Sequence, residues 1–305
     1  MFRLPGRRAT PADRAADRAA GRPTFLLGTG AQKAGTSWVH DHLAGSPQCA
    51  PGYRKEYHVL DALDLPSEQW KRDNIAMRAR RDARRAVAGE SVDATSLHRA
   101  AMLYDTDFYV DHLVALLSRD PAYRLVMDMT PDYAMLSTDR LSWVRSRLAE
   151  RGVRTVTVFL MRDPVERVWS HLRMEKTRRP ERLSADSEVY VRERYADPIY
   201  AARNRYDRTL AALDQAFEAD EVHVDFFERL FTPDAVRAIE DHVGVEPRRP
   251  QVDRLVNASP KAIDELPAAT VELVAQHFAE VYVDVARRFP DVDLPTLWPS
   301  ARHVL

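Results

Sequence analysis

The stretch TFLLGTGAQKAGTSW, residues 24–38, determines the fold that the sequence predicts. Its first five residues form a short apolar run that predicts a buried β-strand. A loop bounded by Gly30 and Gly35 follows, and apolar residues then recur at helical spacing, at Trp38, Val39 and Leu43. The backbone N–H groups of such a loop and the N-terminus of the helix after it together bind anions. The stretch therefore predicts a strand, a phosphate-binding loop and a helix.

This loop differs from the nucleotide-kinase pattern G-x-x-x-x-G-K-[ST]. Gly30 and Gly35 fit the pattern, but Thr36 stands where the lysine is required, and Lys33 lies three residues upstream. A kinase lysine reaches the β- and γ-phosphates, whereas a lysine on the loop itself faces the 5′-phosphate and the group leaving from it. Lysine is also rare, with only five among 45 basic residues. A compact, mobile charge at the loop apex therefore indicates a role beside a leaving oxygen.

The alternation of strand and helix continues along the chain. Three further apolar runs predict strands, at residues 124–127, 155–161 and 222–226. Helical patterns lie between and after them; Gly244 closes one at a C′ position, and a stripe from Val271 to Val285 predicts the last helix. We therefore expect a single P-loop-like α/β domain over residues 23–305, with a central parallel sheet flanked by helices. Ligands of such sheets bind at the carboxyl ends of the strands.

Residues 62–104 interrupt this alternation and predict a helical insertion. Its main element is a polar helix from Gln69 to Val87, which carries six arginines: Arg72, Arg78, Arg80, Arg81, Arg84 and Arg85. Two interpretations stay open. The arginines, with Asp73 and Asp82 interleaved, form a solvated basic face, or they recognise an acidic acceptor.

Composition limits the class of protein. A chain that is 45% hydrophobic and 30% charged is typical of a globular domain, and its net charge of -1 indicates no nucleic-acid partner. The longest strongly apolar stretch, Thr155 to Met161, is far shorter than the ~18 residues of a membrane span. Cys49 is the only cysteine, so a reducing compartment is expected. Residues 1–22 are arginine-rich and lack the apolar core of a secretory signal, which predicts a disordered tail and a cytoplasmic location.

A second motif follows the most apolar strand. In MRDPVERVWS, residues 161–170, Asp163 is a candidate N-cap, Pro164 occupies the first helical position, and Glu166 completes a capping-box-like pattern. Arg162 then lies at the strand's carboxyl end and Ser170 about two turns into the helix, so both can bind one phosphate. The alternative is that Arg162 pairs structurally with Asp163 or Glu166.

Together the two motifs resemble those of sulfotransferases that use 3′-phosphoadenylyl sulfate. Gln32-Lys33-Ala34-Gly35-Thr36-Ser37 is similar to the family's 5′-phosphosulfate loop, and Arg162-Asp163-Pro164 with Arg167 and Ser170 is similar to its 3′-phosphate motif. The resemblance implies transfer of a sulfuryl group to an acceptor hydroxyl, with release of adenosine 3′,5′-bisphosphate and no metal. It implies that Lys33 stabilises the leaving oxygen. It also implies a 5′-phosphate cradle of Gly35, Thr36, Ser37 and Trp38, and a 3′-phosphate site of Arg162 and Ser170.

A third stretch resembles the acceptor side of the carbohydrate-type branch of that family. Lys55-Glu56-Tyr57-His58-Val59-Leu60-Asp61 is similar to its Lys-Glu-x-His-Phe-Phe-Asp sequence, in which the glutamate is taken as the base. An acceptor hydroxyl must lose its proton as it attacks sulfur, and a carboxylate or an imidazole within hydrogen-bond reach can take it. Glu56 is therefore the first candidate and His58 the second. The alternative is a surface pair of Lys55 and Glu56 beside a structural His58.

The acceptor class stays open because the next motif departs from the pattern. Asp128-Met129-Thr130-Pro131-Asp132-Tyr133 resembles the branch's Glu-Lys-Thr-Pro-x-Tyr stretch, but Met129 replaces the lysine. This weakens the case for a highly anionic polysaccharide, so a carbohydrate, a lipid and a small metabolite are all candidate acceptors. The Arg-Lys-Gly loop of cytosolic small-molecule enzymes is also missing, and residues 257–259 with Lys261 are candidates for its place.

Two other functions remain as alternatives. A P-loop kinase or NTPase would use Asp128, at the end of an apolar strand, to hold magnesium. A non-catalytic module of the same fold would bind nucleotide without turnover. A metal site at His40, Asp41 and His42 is not expected, because adjacent and alternate residues of a helix point in different directions.

Overall fold

The computed structural model describes residues 21–178, 187–251 and 266–305. Its centre is a four-stranded sheet with the order β2-β1-β3-β4. The strands are β1 Thr24–Gly30, β2 Leu125–Asp128, β3 Arg154–Met161 and β4 Val222–Phe226. All three strand pairs are parallel, which confirms the predicted parallel sheet.

Burial explains why these four segments are strands. Every residue of β1 and β2 is buried, and so is every residue of β3 after Arg154. Strands buried on both faces appear in sequence as continuous apolar runs, and this is the pattern that predicted them. Because the strands are parallel, the loops after β1, β2 and β3 leave the same edge of the sheet. The three motifs with candidate chemistry begin at this edge or pack against it.

Helices surround the sheet. They are α1 Thr36–Ala44, α2 Leu60–Asp64, α3 Gln69–Val87, α4 Thr95–Tyr104, α5 Thr106–Leu117, α6 Thr138–Ala149, α7 Pro164–Arg178, α8 Ser187–Arg194, α9 Pro198–Ala201, α10 Tyr206–Ala216, α11 Pro233–Val243, α12 Ala268–His277, α13 Ala279–Arg288 and α14 Leu294–Leu297. Gly244 ends α11 in the left-handed conformation, with φ 81°, as expected of a C′ glycine. Short 3-10 turns include Pro66–Glu68 and Pro131–Met135.

The prediction of one continuous last helix is wrong. The apolar stripe is divided into α12 and α13 at Phe278, whose φ and ψ of -102° and 19° leave the helical region. The Phe278 side chain is buried and its N–H bonds to the oxygens of Val274 and Ala275. Both halves keep their apolar residues on the core side, so spacing alone did not reveal the break.

The insertion packs on the rest of the domain through one face of α3. Lys71, Ile75, Ala79 and Asp82 are the buried residues of this helix, whereas its six arginines are exposed. The helix has the predicted bounds, Gln69–Val87. Within the described ranges, no helix is long and apolar enough to cross a membrane. The N-terminal tail up to residue 20, and residues 257–261, lie outside the described residues.

Candidate functional site

The loop between β1 and α1 is shaped by backbone conformations that favour glycine. Gly30, Lys33 and Gly35 have positive φ values of 110°, 70° and 84°. A Cβ atom on Gly35 would lie 2.5 Å from Leu230 Cδ2, so both the positive φ and the crowding favour glycine there. The N–H of Ala31 donates to the Leu160 oxygen at 2.8 Å and ties the loop to β3. The result is a fixed turn in front of the helix N-terminus.

The predicted 5′-phosphate residues, from Gln32 to Trp38, share this turn. Gln32 Oε1 is buried and has no hydrogen-bond partner within the described part of the chain. The backbone N–H of Trp38 donates to the Gly35 oxygen at 2.9 Å and its indole N–H donates to the Gln251 oxygen at 3.3 Å, so both of its donors already have partners. The indole stacks on His42 at 5.3 Å and meets the edge of the partly exposed Phe231 ring at 5.6 Å. An aromatic surface therefore adjoins the loop.

Lys33 lies among other cations. Its burial, followed by the charges of Arg162, Arg178 and Arg173, lowers the pKa of Lys33 to about 8. Positive groups that depress one another in this way favour an anion between them. This concentration of positive charge is local, because the chain as a whole has a net charge of -1.

Arg162 connects the second motif to the loop. Its Nη1 donates to the Lys33 oxygen at 3.1 Å, and its Nη2 donates to Glu166 at 3.2 Å. The guanidinium also lies 4.6 Å from the centre of the Phe227 ring. Arg162 therefore makes both contacts: the structural pairing with Glu166 that was the alternative, and the bond to the phosphate loop.

The start of α7 is capped by Asp163, as predicted, but the capping-box-like pattern is wrong. Asp163 Oδ1 accepts from the N–H of Val165 at 2.9 Å. The N–H of Asp163 donates to Glu228, at 3.1 Å, and not to Glu166. Glu228 comes from the 3-10 turn after β4, a contact that no local pattern reveals. Glu166 is thereby free to pair with Arg162.

Arg167 and Ser170 lie one and two turns into α7, and both are buried. The Arg167 guanidinium donates to Asn204 and, at 2.9 Å, to the Tyr200 oxygen, so it braces α7. Burial lowers the pKa of Arg167 to about 10. Its Nη1 has no partner among the residues that the structure describes, and the same is true of Arg173 Nε. Arg173, which the sequence analysis missed, thus adds a cation near Lys33.

Glu56 lies between two cations beside the phosphate loop. Its Oε1 accepts from Lys55 Nζ at 2.6 Å and its Oε2 from His58 Nε2 at 3.1 Å. His58 Nδ1 bonds to Asp61 Oδ2 at 2.8 Å. Lys55 Nζ is also 3.5 Å from Thr36 Oγ1, the first residue of α1. The third motif and the phosphate loop therefore meet.

These contacts set the protonation states of the two candidate bases. Burial raises the pKa of Glu56, but hydrogen bonds from His58 and Lys55 outweigh it and lower the pKa to about 2. Burial likewise lowers the pKa of His58, but bonds to Asp61 and Glu56 outweigh it and raise the pKa to about 9. At neutral pH, Glu56 is a carboxylate and His58 an imidazolium.

Asp128 is a structural residue at the end of β2. It is fully buried, and its oxygens accept from the hydroxyls of Thr130, Tyr109 and Tyr133 at 2.6–2.8 Å and from the N–H of Tyr57 at 3.3 Å. Burial raises its pKa. Four protein donors thus occupy the carboxylate that a kinase would need for magnesium.

A second group of charges, which the sequence analysis missed, lies behind His58. His58, Asp61 and Asp132 place ligand atoms close enough for a metal ion, but the ammonium of Lys71 bonds to both carboxylates there. Arg203 joins them through Asp132, at 2.7 Å. The scarcity of lysine was the one signal in the sequence that pointed to Lys71.

Comparisons with known proteins identify a family and a similar fold. The sequence model described as "Sulfotransferase family" matches residues 23–250. No curated protein sequence matches the chain. The fold is similar to a sulfotransferase from Alicyclobacillus acidocaldarius, with a TM-score of 0.57 at 18% identity over 90% of this chain and 98% of that one.

Two further solved structures show weaker similarity. The sulfotransferase domain of the curacin biosynthetic pathway aligns with a TM-score of 0.41 at 20% identity, over 75% of this chain and 76% of that one. The sulfotransferase domain of the Synechococcus PCC 7002 olefin synthase aligns with a TM-score of 0.42 at 16% identity, over 84% and 94%. The family match covers well over half of the sequence. On that ground, the chain belongs to the sulfotransferase family.

Proposed function

We propose that this sulfotransferase moves a sulfuryl group from 3′-phosphoadenylyl sulfate to an acceptor hydroxyl and releases adenosine 3′,5′-bisphosphate. The observation that carries the proposal is the convergence of three motifs at one edge of the sheet. Arg162 bonds to the Lys33 oxygen on one side of the loop, and Lys55 bonds to Thr36 on the other. Anion-binding groups and a carboxylate, Glu56, are thus within one site.

The donor site is assigned to the loop and to α7. The turn from Gln32 to Trp38 cradles the 5′-phosphosulfate, and Arg162 with Ser170 binds the 3′-phosphate. Two observations support this: the depressed pKa of Lys33, and a buried guanidinium nitrogen of Arg167 that has no partner within the described residues. The exposed ring of Phe231, beside Trp38, offers an aromatic surface on which adenine stacks.

Two charges change during in-line transfer of the sulfuryl group: the acceptor hydroxyl loses a proton, and negative charge develops on the leaving oxygen. The acceptor oxygen forms a bond to sulfur while the bond from sulfur to the bridging oxygen of the donor breaks. Lys33 stabilises the negative charge that develops on the departing phosphate oxygen. The protein has little covalent chemistry to perform. Positioning of the reactants and fixed cations therefore supply most of the catalysis, by analogy with phosphoryl transfer.

Glu56 accepts the proton of the acceptor hydroxyl. A carboxylate with a pKa of about 2 is a weak base, but the hydroxyl becomes strongly acidic as its oxygen bonds to sulfur, so proton transfer late in the reaction is favourable. His58, the second candidate, already carries a proton at neutral pH. We therefore assign the base to Glu56 and an orienting role to His58.

The acceptor is a hydroxyl of a carbohydrate, a lipid or a small metabolite. The kinase alternative has lost its main argument, because the oxygens of Asp128 are occupied by Thr130, Tyr57, Tyr109 and Tyr133. Membership of the family likewise favours an enzyme over a non-catalytic module.

The test is a transfer assay with sulfur-labelled 3′-phosphoadenylyl sulfate and panels of sugars, hydroxylated lipids and small alcohols, in EDTA. The proposal predicts a labelled product and an equal amount of adenosine 3′,5′-bisphosphate, and loss of both in Lys33→Ala and Glu56→Gln. Lys176→Ala, on the distal part of α7, is the matched control. Transfer that survives in Lys33→Ala, or that appears only with magnesium and ATP, would contradict the proposal.

A further inference from the structure

Lys71, from the insertion helix α3, ends inside a cluster of carboxylates. Its Nζ lies 2.8 Å from Asp61 Oδ2 and 2.9 Å from Glu68 Oε2, and it also bonds to Asp132. The side chain is only 8% exposed. An ammonium group has three N–H donors, so three carboxylates around it satisfy all of them. A planar guanidinium cannot make this arrangement, although the chain otherwise strongly prefers arginine.

The cluster connects directly to the proposed base. Asp61 Oδ2 accepts from both Lys71 Nζ and His58 Nδ1, each at 2.8 Å. Its other oxygen, Oδ1, is buried and has no partner among the described residues. One oxygen therefore holds both cations, and the imidazole it orients bonds to Glu56 at 3.1 Å. The path from Lys71 to Glu56 consists of three consecutive contacts.

The Lys71 ammonium is needed to balance the charges of the cluster. Four carboxylates face four cations in this cluster: Glu56, Asp61, Glu68 and Asp132 against Lys55, His58, Lys71 and Arg203. The charges cancel only while His58 is protonated. Without Lys71, three buried carboxylates, Asp61, Glu68 and Asp132, lose a counter-charge, and a buried charge without a partner reorganises its surroundings.

The acceptor motif after β2 has no cation of its own. Met129 stands where the resembled pattern has lysine, it is buried, and its sulfur would lie 2.2 Å from a Cβ placed on Gly28. The Met129 side chain therefore packs directly against the backbone of β1 at Gly28, a position that has no room for a Cβ atom. The cations that reach Asp132 in the same stretch come from other elements: Lys71 from α3, and Arg203 from the segment after α9.

We propose that Lys71 is a positioning residue of the transfer reaction: through Asp61 and His58, it holds the Glu56 carboxylate in the orientation that accepts the acceptor's proton. The helical insertion thereby contributes a buried ammonium to the site as well as an arginine-rich surface. The inference rests on the proposed function, because it takes Glu56 as the base.

The test compares two variants that differ in charge balance. Lys71→Met alone leaves an unpaired buried charge and is expected to lower the melting temperature strongly. Lys71→Met combined with Glu68→Gln removes one charge of each sign, so this double variant should recover most of that stability. Arg72→Met, an exposed arginine of the same helix, is the control.

Three quantities are measured on the full chain: the affinity for adenosine 3′,5′-bisphosphate, the single-turnover release of that product from 3′-phosphoadenylyl sulfate with water as the nucleophile, and the titration of His58 in histidine-labelled enzyme by ¹⁵N NMR. In the double variant we expect unchanged affinity, a release rate at least ten-fold lower, and a His58 pKa above that of the wild type, because a cation 3.2 Å away is gone. Arg72→Met should change none of them.

A stable double variant with the wild-type rate, or with an unchanged His58 titration, would overturn the inference. Such a result is distinguishable from failure of the proposed function. If Glu56→Gln slows release and the Lys71 variants do not, only the positioning role is wrong. If the wild type does not bind adenosine 3′,5′-bisphosphate, or Glu56→Gln leaves the rate unchanged, the proposed function itself fails.

Discussion

The guanidinium of Arg162 donates a hydrogen bond to the main-chain oxygen of Lys33, across a distance of 3.1 Å. The two residues are 129 positions apart and follow neighbouring strands, β1 and β3. The contact places the candidate 3′-phosphate residue against the candidate 5′-phosphosulfate loop. One ligand with phosphates at both ends can therefore engage both.

Replacing Arg162 by alanine should weaken binding of adenosine 3′,5′-bisphosphate. Hydrogen bonds to charged groups contribute about 1.5–3 kcal/mol, which corresponds to a dissociation constant roughly 10- to 150-fold higher. Isothermal calorimetry measures the change, and Arg80→Ala on the exposed face of α3 is the control. An unchanged dissociation constant would remove Arg162 from the donor site.

Replacing Lys33 by alanine should reduce the rate more than donor binding. The lysine acts on charge that develops as the bond to the bridging oxygen breaks, and removing one such stabilising group typically costs about 10²–10³ in kcat. Rapid-quench measurement of single turnovers separates this rate from the dissociation constant of the bisphosphate. Equal losses in both quantities would mean that Lys33 only binds the donor.

Glu56→Gln should abolish proton acceptance without disturbing the donor site. General-base catalysis typically contributes about 10²–10⁴ in rate, so kcat should fall by that factor while the affinity for the bisphosphate stays constant. Glu166→Gln, which replaces a carboxylate that pairs with Arg162, is a useful comparison. A variant that retains more than half of the wild-type kcat would exclude Glu56 as the base.

The value of kcat/KM should fall at alkaline pH and should stay constant between pH 5 and 7. Lys33, whose pKa is lowered to about 8, loses its charge as the pH rises through that value, so kcat/KM of the free enzyme should fall above pH ~8. Glu56, with its pKa lowered to about 2, stays ionised down to strongly acidic pH. A bound anion raises the pKa of Lys33, so the limb of kcat should lie at higher pH than that of kcat/KM. A kcat/KM that stays constant to pH 10 would refute this assignment.

Asp128→Asn should lower the stability of the fold, because Asp128 is a structural residue and not a magnesium ligand. An amide accepts fewer hydrogen bonds than a carboxylate, so at least one buried hydroxyl among Tyr109, Tyr133 and Thr130 loses its acceptor, at a cost of about 1–3 kcal/mol. Thermal unfolding should show a lower melting temperature, and Asp139→Asn on the surface should not. A variant of normal stability whose activity with magnesium is lost would instead support the kinase alternative.

The sheet and the phosphate loop could be predicted because their signals are local. A strand buried on both faces shows a continuous apolar run, as in Thr155 to Met161, and a loop that needs positive φ keeps glycine, as at Gly35. The polar helix of the insertion was also predicted with its observed bounds, Gln69–Val87.

The ion cluster behind the base could not be predicted, because it depends on contacts between distant segments. Arg203 meets Glu68 and Asp132 across 135 and 71 positions, and Lys71 meets Asp132 across 61. For a similar reason the N–H of Asp163 bonds to Glu228 in place of the neighbour that the capping pattern suggested. Charged residues of this kind look in sequence like ordinary surface residues until the fold buries them.

The most direct test of the central claim is calorimetric binding of adenosine 3′,5′-bisphosphate beside ATP and AMP, with and without Mg²⁺. The proposed donor site has Lys33 on the phosphate loop and Arg162 bonded to that loop, and the oxygens of the candidate magnesium ligand Asp128 already accept hydrogen bonds from protein hydroxyls. We therefore predict tight binding of the bisphosphate that is independent of the metal, and much weaker binding of AMP. Preference for ATP that depends on Mg²⁺ would contradict the account.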